Sequence, residues 1–513
     1  MHLNAPLPPV TSASPDVDDR TRTVRFLHRG QEVSTSFAPH RTVLDYLRLD
    51  CGLAGTKEGC AEGDCGACTV VLAEPDPQYP GRLVWRAVNS CVRLANSLDG
   101  CALFSVDDLG GPATPHPIQE ALASHHASQC GFCTPGFVMS LYAQYQTRGG
   151  DQGQACSAMQ RDEIADALSG NLCRCTGYRP IVDAALALPG LPAPAFDGAA
   201  LASRLRALRT ESATADADTL PIATREGCTW RPARLPALLK LRAAHPQALL
   251  VAGATDVGLW FTKQLQRPTM LIDLSGVTEL HTLQRDSSGL HVGAAVVLED
   301  AWRALAALWP GLERFWQRFA SLPVRNSGTL GGNLANGSPI GDSMPLLIAL
   351  GAHITLASKA GTRDIALEDF YLGYRQTALA DDEVLMQIHV PAPRPTQQVF
   401  AYKISKRFDQ DISAVCLGLM LDLREGRVHA ARIGAGGVAA TPVRARATEG
   451  ALLGRPWTAD AVAQAARILR DEFSPISDLR ASSAYRRSVL CNLLQRALLQ
   501  SQSVAVSVDG GWQ

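Results

Sequence analysis

Glu58–Val70 reads E-G-C-A-E-G-D-C-G-A-C-T-V, which sets Cys60, Cys65 and Cys68 four and two residues apart, with Cys91 behind them. That spacing is the plant-type [2Fe–2S] ligand pattern. Thiolates suit such a cluster because they are soft, charged donors that bridge well to iron. Bringing four of them round one centre needs tight turns. Gly59, Gly63 and Gly66 supply the freedom, since glycine accepts φ > 0 and leaves its N–H free to approach sulfur. Outward from this loop the chain alternates. Thr23–His28, a turn at Arg29-Gly30 and Val33–Phe37 predict a hairpin, Val43, Leu44 and Leu47 a short helix, and Thr69–Leu72 and Leu83–Val88 two strands. Strands, one helix and a cysteine loop in about eighty residues predict a β-grasp domain over 22–105.

A second group, Cys130-x2-Cys133 with Cys173-x-Cys175, lies where the period turns helical. Thr134-Pro135 opens the helix Phe137–Gln146, Ile164 and Leu168 share a face of another, and Tyr178-Arg179-Pro180 opens a third. These predict a helical domain over 106–190 with its thiols at helix ends. Zinc is the other use for such cysteines, but zinc knuckles pair C-x2-4-C groups or add histidines. The first group is asymmetric and the second ends in C-x-C. His125 and His126 beside Cys130 lack counterparts near Cys173 and Cys175, so they read as surface residues. Cys51, Cys101, Cys156, Cys228, Cys416 and Cys491 read as small buried hydrophobes or free thiols.

The chain has 513 residues, enough for three or four domains, with 48 basic against 49 acidic side chains. Neither nucleic acid nor an anionic membrane is favoured by that balance. No apolar run reaches the ~20 residues of a membrane span. The first 21 residues read as a disordered tail rather than a secretory signal, so a cytoplasmic protein is expected. Residues 191–219 read as a linker, 220–395 as alternating strands and helices, and 398–505 as strands Val415–Leu423 and Val428–Ile433 followed by the helix Ala459–Asp471. Three glycine segments, 251–256, 327–333 and 434–437, are small enough to approach a dinucleotide. None is a G-x-G-x-x-G followed by a helix, and each also reads as a turn.

Six strings together resemble the molybdenum hydroxylase family, in particular the iron–sulfur/FAD subunit of its xanthine dehydrogenase branch: Glu58–Val70, Gln129–Gly136 (QCGFCTPG), Gly170–Pro180 (GNLCRCTGYRP), Val251–Asp256, Gly331–Asp342 (GGNLANGSPIGD) and Lys403–Ile412 (KISKRFDQDI). The resemblance implies a multidomain α+β chain. Its parts are a β-grasp 2Fe-2S ferredoxin domain, a helical-bundle 2Fe-2S domain, a two-lobed vanillyl-alcohol-oxidase-type FAD domain and an α+β C-terminal domain. It implies cluster ligation by Cys60, Cys65, Cys68 and Cys91 and by Cys130, Cys133, Cys173 and Cys175. By position, Leu249, Leu250, Val251, Ala252, Gly253, Ala254, Thr255 and Asp256 would hold the FAD diphosphate. Phe319, Thr329, Leu330, Gly331, Gly332, Asn333, Ser338 and Asp342 would line the flavin, with Leu385 and Lys403 completing the site. Ser405–Asp411 would border the flavin where NAD+ approaches, and Gln129 and Cys175 would face a pterin on a partner.

No confident catalytic residue is expected on this chain. No molybdenum-binding part is expected on this chain. The resemblance therefore implies a molybdenum-cofactor-binding large subunit as partner, two of each chain, hydroxylating purines from hypoxanthine to xanthine to urate. Other hydroxylases of the family, acting on aldehydes, nicotinate or an aromatic acyl-CoA, and a freestanding NADH-oxidising flavoprotein are the alternatives. Ala61 and Asp64 stand where relatives often have glycine, and 149–156 reads as an insertion.

Overall fold

The computed structural model describes residues 21–502 except 112, 193 and 213–216, so the expected N-terminal tail falls outside it but for its last residue. The chain forms two units. One runs to Thr278 and adds Leu322–Ser327; the other comprises Glu279–Ser321 and Gly328 onward.

In the first unit the expected hairpin is Val24–His28 against Gln31–Thr35, antiparallel. Arg29 and Gly30 both have φ > 0 (53° and 71°), as a two-residue turn matching strand twist requires. The sheet order is Gln31–Thr35, Val24–His28, Ala102–Phe104, Thr69–Pro75, Leu83–Asn89. Period-two alternation splits the run Thr69–Pro75: Val70 and Leu72 join one core with Phe26 and Leu47, while Val71 and Ala73 join another. That second core includes Phe137, Val138, Leu141 and Tyr142 of the helix Thr134–Thr147. The sheet is thus apolar on both faces because the helical domain covers one of them.

The stretch 191–219, expected as a linker, contains the helix Gly198–Ser212. Ala202 and Leu205 enter the shared core, and Arg209 reaches Glu74 at 3.0 Å and the Gly100 carbonyl at 2.9 Å. It is a packed strap rather than a loose tether. Its apolar stripe is mostly alanine and leucine among arginines, which hides the period. The first unit ends in a four-stranded sheet, Ile222–Thr224, Gly227–Trp230, Met270–Asp273 and Leu249–Val251, whose last three strands pair parallel.

The second unit holds a five-stranded antiparallel sheet in the order Leu283–Arg285, Gly289–Gly293, Val384–Pro391, His353–Ser358, Gly361–Ala366. It also holds a four-stranded meander, Gln397–Ile404, Val415–Arg424, Arg427–Gly436 and Val443–Arg444. Helices Ala459–Glu472 and Ser483–Ser501 bury Val462, Leu469, Leu490 and Leu494 against it. Gly434 lies inside a strand and is no ligand loop. A Cβ there would sit 1.9 Å from the Pro345 carbonyl, so the residue exists to let the helix Ser343–Ala349 approach. Among the described residues, no helix is long and apolar enough to cross a membrane.

Candidate iron–sulfur and flavin sites

The loop between the helix near 46 and the strand from Thr69 carries the first quartet. Cys68 and Cys91 are buried, Cys60 and Cys65 half-buried. Their thiols touch in a chain: Cys60 contacts Cys65 and Cys91, and Cys91 also contacts Cys68. Hydrogen bonds from Cys65 and Cys91 hold the Cys60 sulfur well below the usual thiol range, and the same contacts push Cys65 and Cys91 up. Cys91 likewise draws Cys68 down against its burial. Backbone N–H groups add to this: Cys65 N–H lies 3.3 Å from the Cys60 sulfur, and Glu62, Ala67 and Cys91 also donate to cysteine sulfurs. Sulfurs crowded together under backbone donors are suited to hold charge as thiolates. Gly63 and Gly66 have φ of 79° and 67°, the freedom expected of them. Ala61 takes φ 55° without being glycine, the one strained position in this loop.

The second quartet lies in the open. Cys130 and Cys175 are exposed, Cys133 and Cys173 half-buried. Cys133 contacts Cys173, and Cys130 contacts Cys175. Burial, then the hydrogen bond to Cys173, pushes the Cys133 thiol up to about 12. For Cys173 burial acts upward, but the Thr176 hydroxyl and backbone outweigh it and hold the sulfur down; Thr176 Oγ1 lies 3.2 Å away. Tyr178, at φ 67°, accepts the Cys173 N–H on its hydroxyl at 3.1 Å. Exposed Gln129, Phe132, Leu172 and Tyr178 surround the quartet. His125 Nδ1 lies 2.9 Å from the Ala121 carbonyl, and His126 is exposed, so neither joins the thiols. Among the described residues, no three metal-binding side chains converge as a single ion would require. In this second quartet the thiols meet two by two, which suits a binuclear cluster in which each iron takes two of four ligands. The remaining cysteines are free, with Cys101, Cys156, Cys228 and Cys416 buried, Cys491 half-buried and Cys51 exposed.

Contacts in two places tie these sites to their surroundings within the first unit. Leu172 N–H donates to the Cys65 carbonyl at 3.0 Å, joining a ligand of one quartet to the neighbour of a ligand of the other. On the opposite side, the strand Leu249–Val251 leads through 252–256 into the helix Val257–Thr262. Thr262 Oγ1 donates to the Ala61 carbonyl at 2.7 Å, Lys263 pairs with Glu62 at 3.4 Å, and a Cβ on Gly258 would sit 2.8 Å from the Val92 carbonyl. The segment expected to hold the FAD diphosphate therefore ends in a helix packed on the first cysteine loop. Ala254 turns that segment at φ 60°.

The residues expected to line the flavin belong to the second unit. Thr329 caps the helix Leu330–Asn336, accepting from Gly332 N–H at 3.0 Å. A Cβ on Gly331 would lie 2.5 Å from that of Ala294, whose N–H bonds the carbonyl of Met386, next to buried Leu385. Gly332 is exposed, and the buried Asn333 Oδ1 has no protein partner. A polar atom left so is costly unless a ligand meets it, so the turn fits a bound cofactor. Asp342 and Lys403 form a buried pair at 2.7 Å, and Ser413 donates to the other Asp342 oxygen at 2.5 Å. The Lys403 ammonium lies 6.0 Å from the ring centroid of buried Phe319. Ser338 is half-buried in the turn before Asp342. In the loop 405–411, the backbone N–H groups of Lys406 and Arg407 bond the Asp411 carboxylate at 2.7 and 2.9 Å and hold its pKa low despite partial burial. Arg318 fastens the same loop through the Lys403 and Phe408 carbonyls at 2.9 and 3.0 Å. Reading the sequence did not find Arg318, Asn171 or Thr262. Their partners are remote in the chain, and no spacing announces them.

Two thiol quartets and a flavin-type cradle define the class, an iron–sulfur flavoprotein. Family models agree over almost the whole chain. Residues 26–95 match the 2Fe-2S iron-sulfur cluster binding domain, 105–186 the [2Fe-2S] binding domain, 224–393 the FAD binding domain in molybdopterin dehydrogenase, and 400–501 the CO dehydrogenase flavoprotein C-terminal domain. The chain belongs to the molybdenum hydroxylase family. It is 32% identical to xanthine dehydrogenase 1 of Arabidopsis thaliana, over 89% of this chain and 38% of that protein. It is 33% identical to xanthine dehydrogenase of Drosophila pseudoobscura pseudoobscura, over 96% of this chain and 40% of that one. The chain thus spans about two fifths of the length of these relatives. Among solved structures, a chain of carbon monoxide dehydrogenase from Hydrogenophaga pseudoflava is 29% identical with a TM-score of 0.51, covering 54% of this chain and 98% of its own.

Proposed function

We propose that this chain is the iron–sulfur/FAD electron-transfer subunit of a xanthine dehydrogenase acting in the cytoplasm. Its partner would be a molybdenum-bearing large subunit, in a complex with two copies of each, that oxidises hypoxanthine to xanthine and xanthine to urate. The observation that carries the reading is the continuity of the first unit: the exposed quartet, the buried quartet and the 249–262 segment are linked by direct contacts. Cys130, Cys133, Cys173 and Cys175 would hold one [2Fe–2S] cluster and Cys60, Cys65, Cys68 and Cys91 the other. Leu249–Asp256 would take the FAD diphosphate, and Phe319, Thr329–Asn333, Ser338, Asp342, Leu385 and Lys403 would line the flavin. When bound, the clusters supply single-electron relay, and FAD supplies the conversion of two electrons into a hydride for NAD+.

The chain's own residues supply position and charge. Backbone N–H groups stabilise the thiolates, and the Thr262–Ala61 bond keeps the diphosphate segment against the first loop. Lys403, fixed by Asp342, would place a positive charge beside the flavin. The loop 405–411, pinned by Asp411 and Arg318, would leave its outer edge for the nicotinamide. Exposed Phe132, Leu172, Tyr178 and Gln129 around the second quartet support a partner surface there, with the pterin facing Gln129 and Cys175. The closest competing reading within the family differs only in the partner's substrate.

The test is co-purification followed by a substrate screen. Xanthine-dependent NAD+ reduction by a complex with a molybdenum-bearing partner is the expected result. NADH oxidation by a lone chain that captures no partner would overturn the assignment, and turnover of aldehyde, nicotinate or an acyl thioester in place of xanthine would move it to another branch. Oxygen consumption without NAD+ reduction would replace the acceptor.

A further inference from the structure

Asn171 lies where the two quartets meet, and it is not a ligand. Its side chain is 3% exposed. Nδ2 donates to the Gly66 carbonyl at 3.1 Å and to Thr69 Oγ1 at 3.2 Å, while Oδ1 accepts from the Ser140 hydroxyl at 2.6 Å. The Gly66 carbonyl can only accept, which fixes the nitrogen end of the amide there, and both amide protons find acceptors. One buried side chain grips the loop of Cys65 and Cys68 and the helix that follows Cys133, from the stretch that runs on into Cys173.

The backbone is arranged for the same close approach. A Cβ on Gly66 would lie 2.1 Å from the Gly170 carbonyl, and one on Gly136 would lie 2.1 Å from the Gly66 carbonyl. The next residue after Asn171 makes the Leu172–Cys65 hydrogen bond at 3.0 Å. Leu172 itself is exposed. A single backbone hydrogen bond does not by itself hold one geometry. A buried amide satisfied at both ends does, because every alternative leaves polar groups unpaired.

We propose that Asn171 is a positioning residue for electron transfer between the clusters: it holds the Cys65–Leu172 contact and so sets the separation of the two centres. This rests on the reading that both quartets hold [2Fe–2S] clusters. Such a step would pass one electron from a cluster held by Cys130, Cys133, Cys173 and Cys175, which is oxidised, to one held by Cys60, Cys65, Cys68 and Cys91, which is reduced. No bond breaks and no proton moves. Separation and contact between the ligand loops are then what the protein controls.

The experiment uses the whole chain, as isolated with its clusters and reduced by dithionite. Electron paramagnetic resonance should show two iron–sulfur signals, each split by the other. Asn171→Ala should keep both signals at wild-type iron and sulfide content and lose the mutual splitting. Ser140→Ala leaves the amide in place without the hydroxyl that donates to its oxygen and should narrow the splitting; it decides the matter if Asn171→Ala fails to assemble. Two signals with wild-type splitting in the variants that assemble overturn the proposal alone. Fewer than two iron–sulfur signals in the unaltered chain overturn the two-cluster reading, and the proposal with it.

Discussion

The first quartet lies behind protein, with Cys68 and Cys91 at 1% and 2% exposure, whereas Cys130 and Cys175 of the second are open to solvent. In both sets the thiols contact one another, and both receive hydrogen bonds from nearby backbone. What differs is what surrounds them. The buried set is enclosed by a sheet, a helix and the segment after Val251, and its surroundings come from this chain. The open set is ringed by Gln129, Phe132, Leu172 and Tyr178, side chains with little of this chain to cover them. On the proposed reading, this difference in burial suits one site to an internal station and the other to a port for an electron arriving from elsewhere.

The largest expected effect breaks this contrast at its ligands. Cys68→Ser should abolish one iron–sulfur signal and lower the melting temperature of the β-grasp region, since it unmakes a site inside the core. Cys130→Ser should abolish the other signal and leave that melting transition in place. Equal destabilisation by the two, read by calorimetry beside resonance spectra, would erase the distinction. A chelator with mild oxidant should likewise bleach the open cluster before the buried one.

Next comes the seam between the sets. Gly136→Ala puts a methyl 2.1 Å from the Gly66 carbonyl and should cost about 1–3 kcal/mol, the usual range for overpacking. Denaturant unfolding of the protein with its clusters reads it, and a neutral result would mean that the seam yields easily. Tyr178→Phe removes the acceptor for the Cys173 N–H and should cost about 1 kcal/mol. That loss should appear as faster bleaching of the open cluster only. The smallest effect has the opposite sign. Ala61→Gly relieves a left-handed non-glycine residue in the buried loop and should stabilise by roughly 1 kcal/mol, seen as a higher unfolding midpoint.

Much of this was legible from sequence wherever the determinants are local. The spacing of Cys60, Cys65 and Cys68 named the cofactor chemistry, and Thr134-Pro135 marked a helix that begins at Thr134. Glycine was read less well. Gly63 and Gly66 serve the turns expected of them, but Gly434 serves helix–sheet contact, and the two uses look alike in a one-dimensional string. The helix at 198–212 was missed because its buried face depends on a sheet more than a hundred residues earlier, as the Arg209–Glu74 pair records. Asn171 was invisible for the same reason: Gly66 and Thr69 lie 105 and 102 residues away.

The return of Leu322–Ser327 to the first unit bears on how the molecule is made. Arg325, with no exposed side-chain surface, pairs with Asp166 at 2.7 Å, and Asn326 bonds the Ala87 carbonyl at 3.0 Å. Asp166 emerges from the ribosome 159 residues before its partner, an interval of roughly 8–32 s at ordinary translation speeds. During that time the helical cysteine domain carries a carboxylate whose cation has not yet been synthesised. Its final closure is timed by the flavin portion of the message.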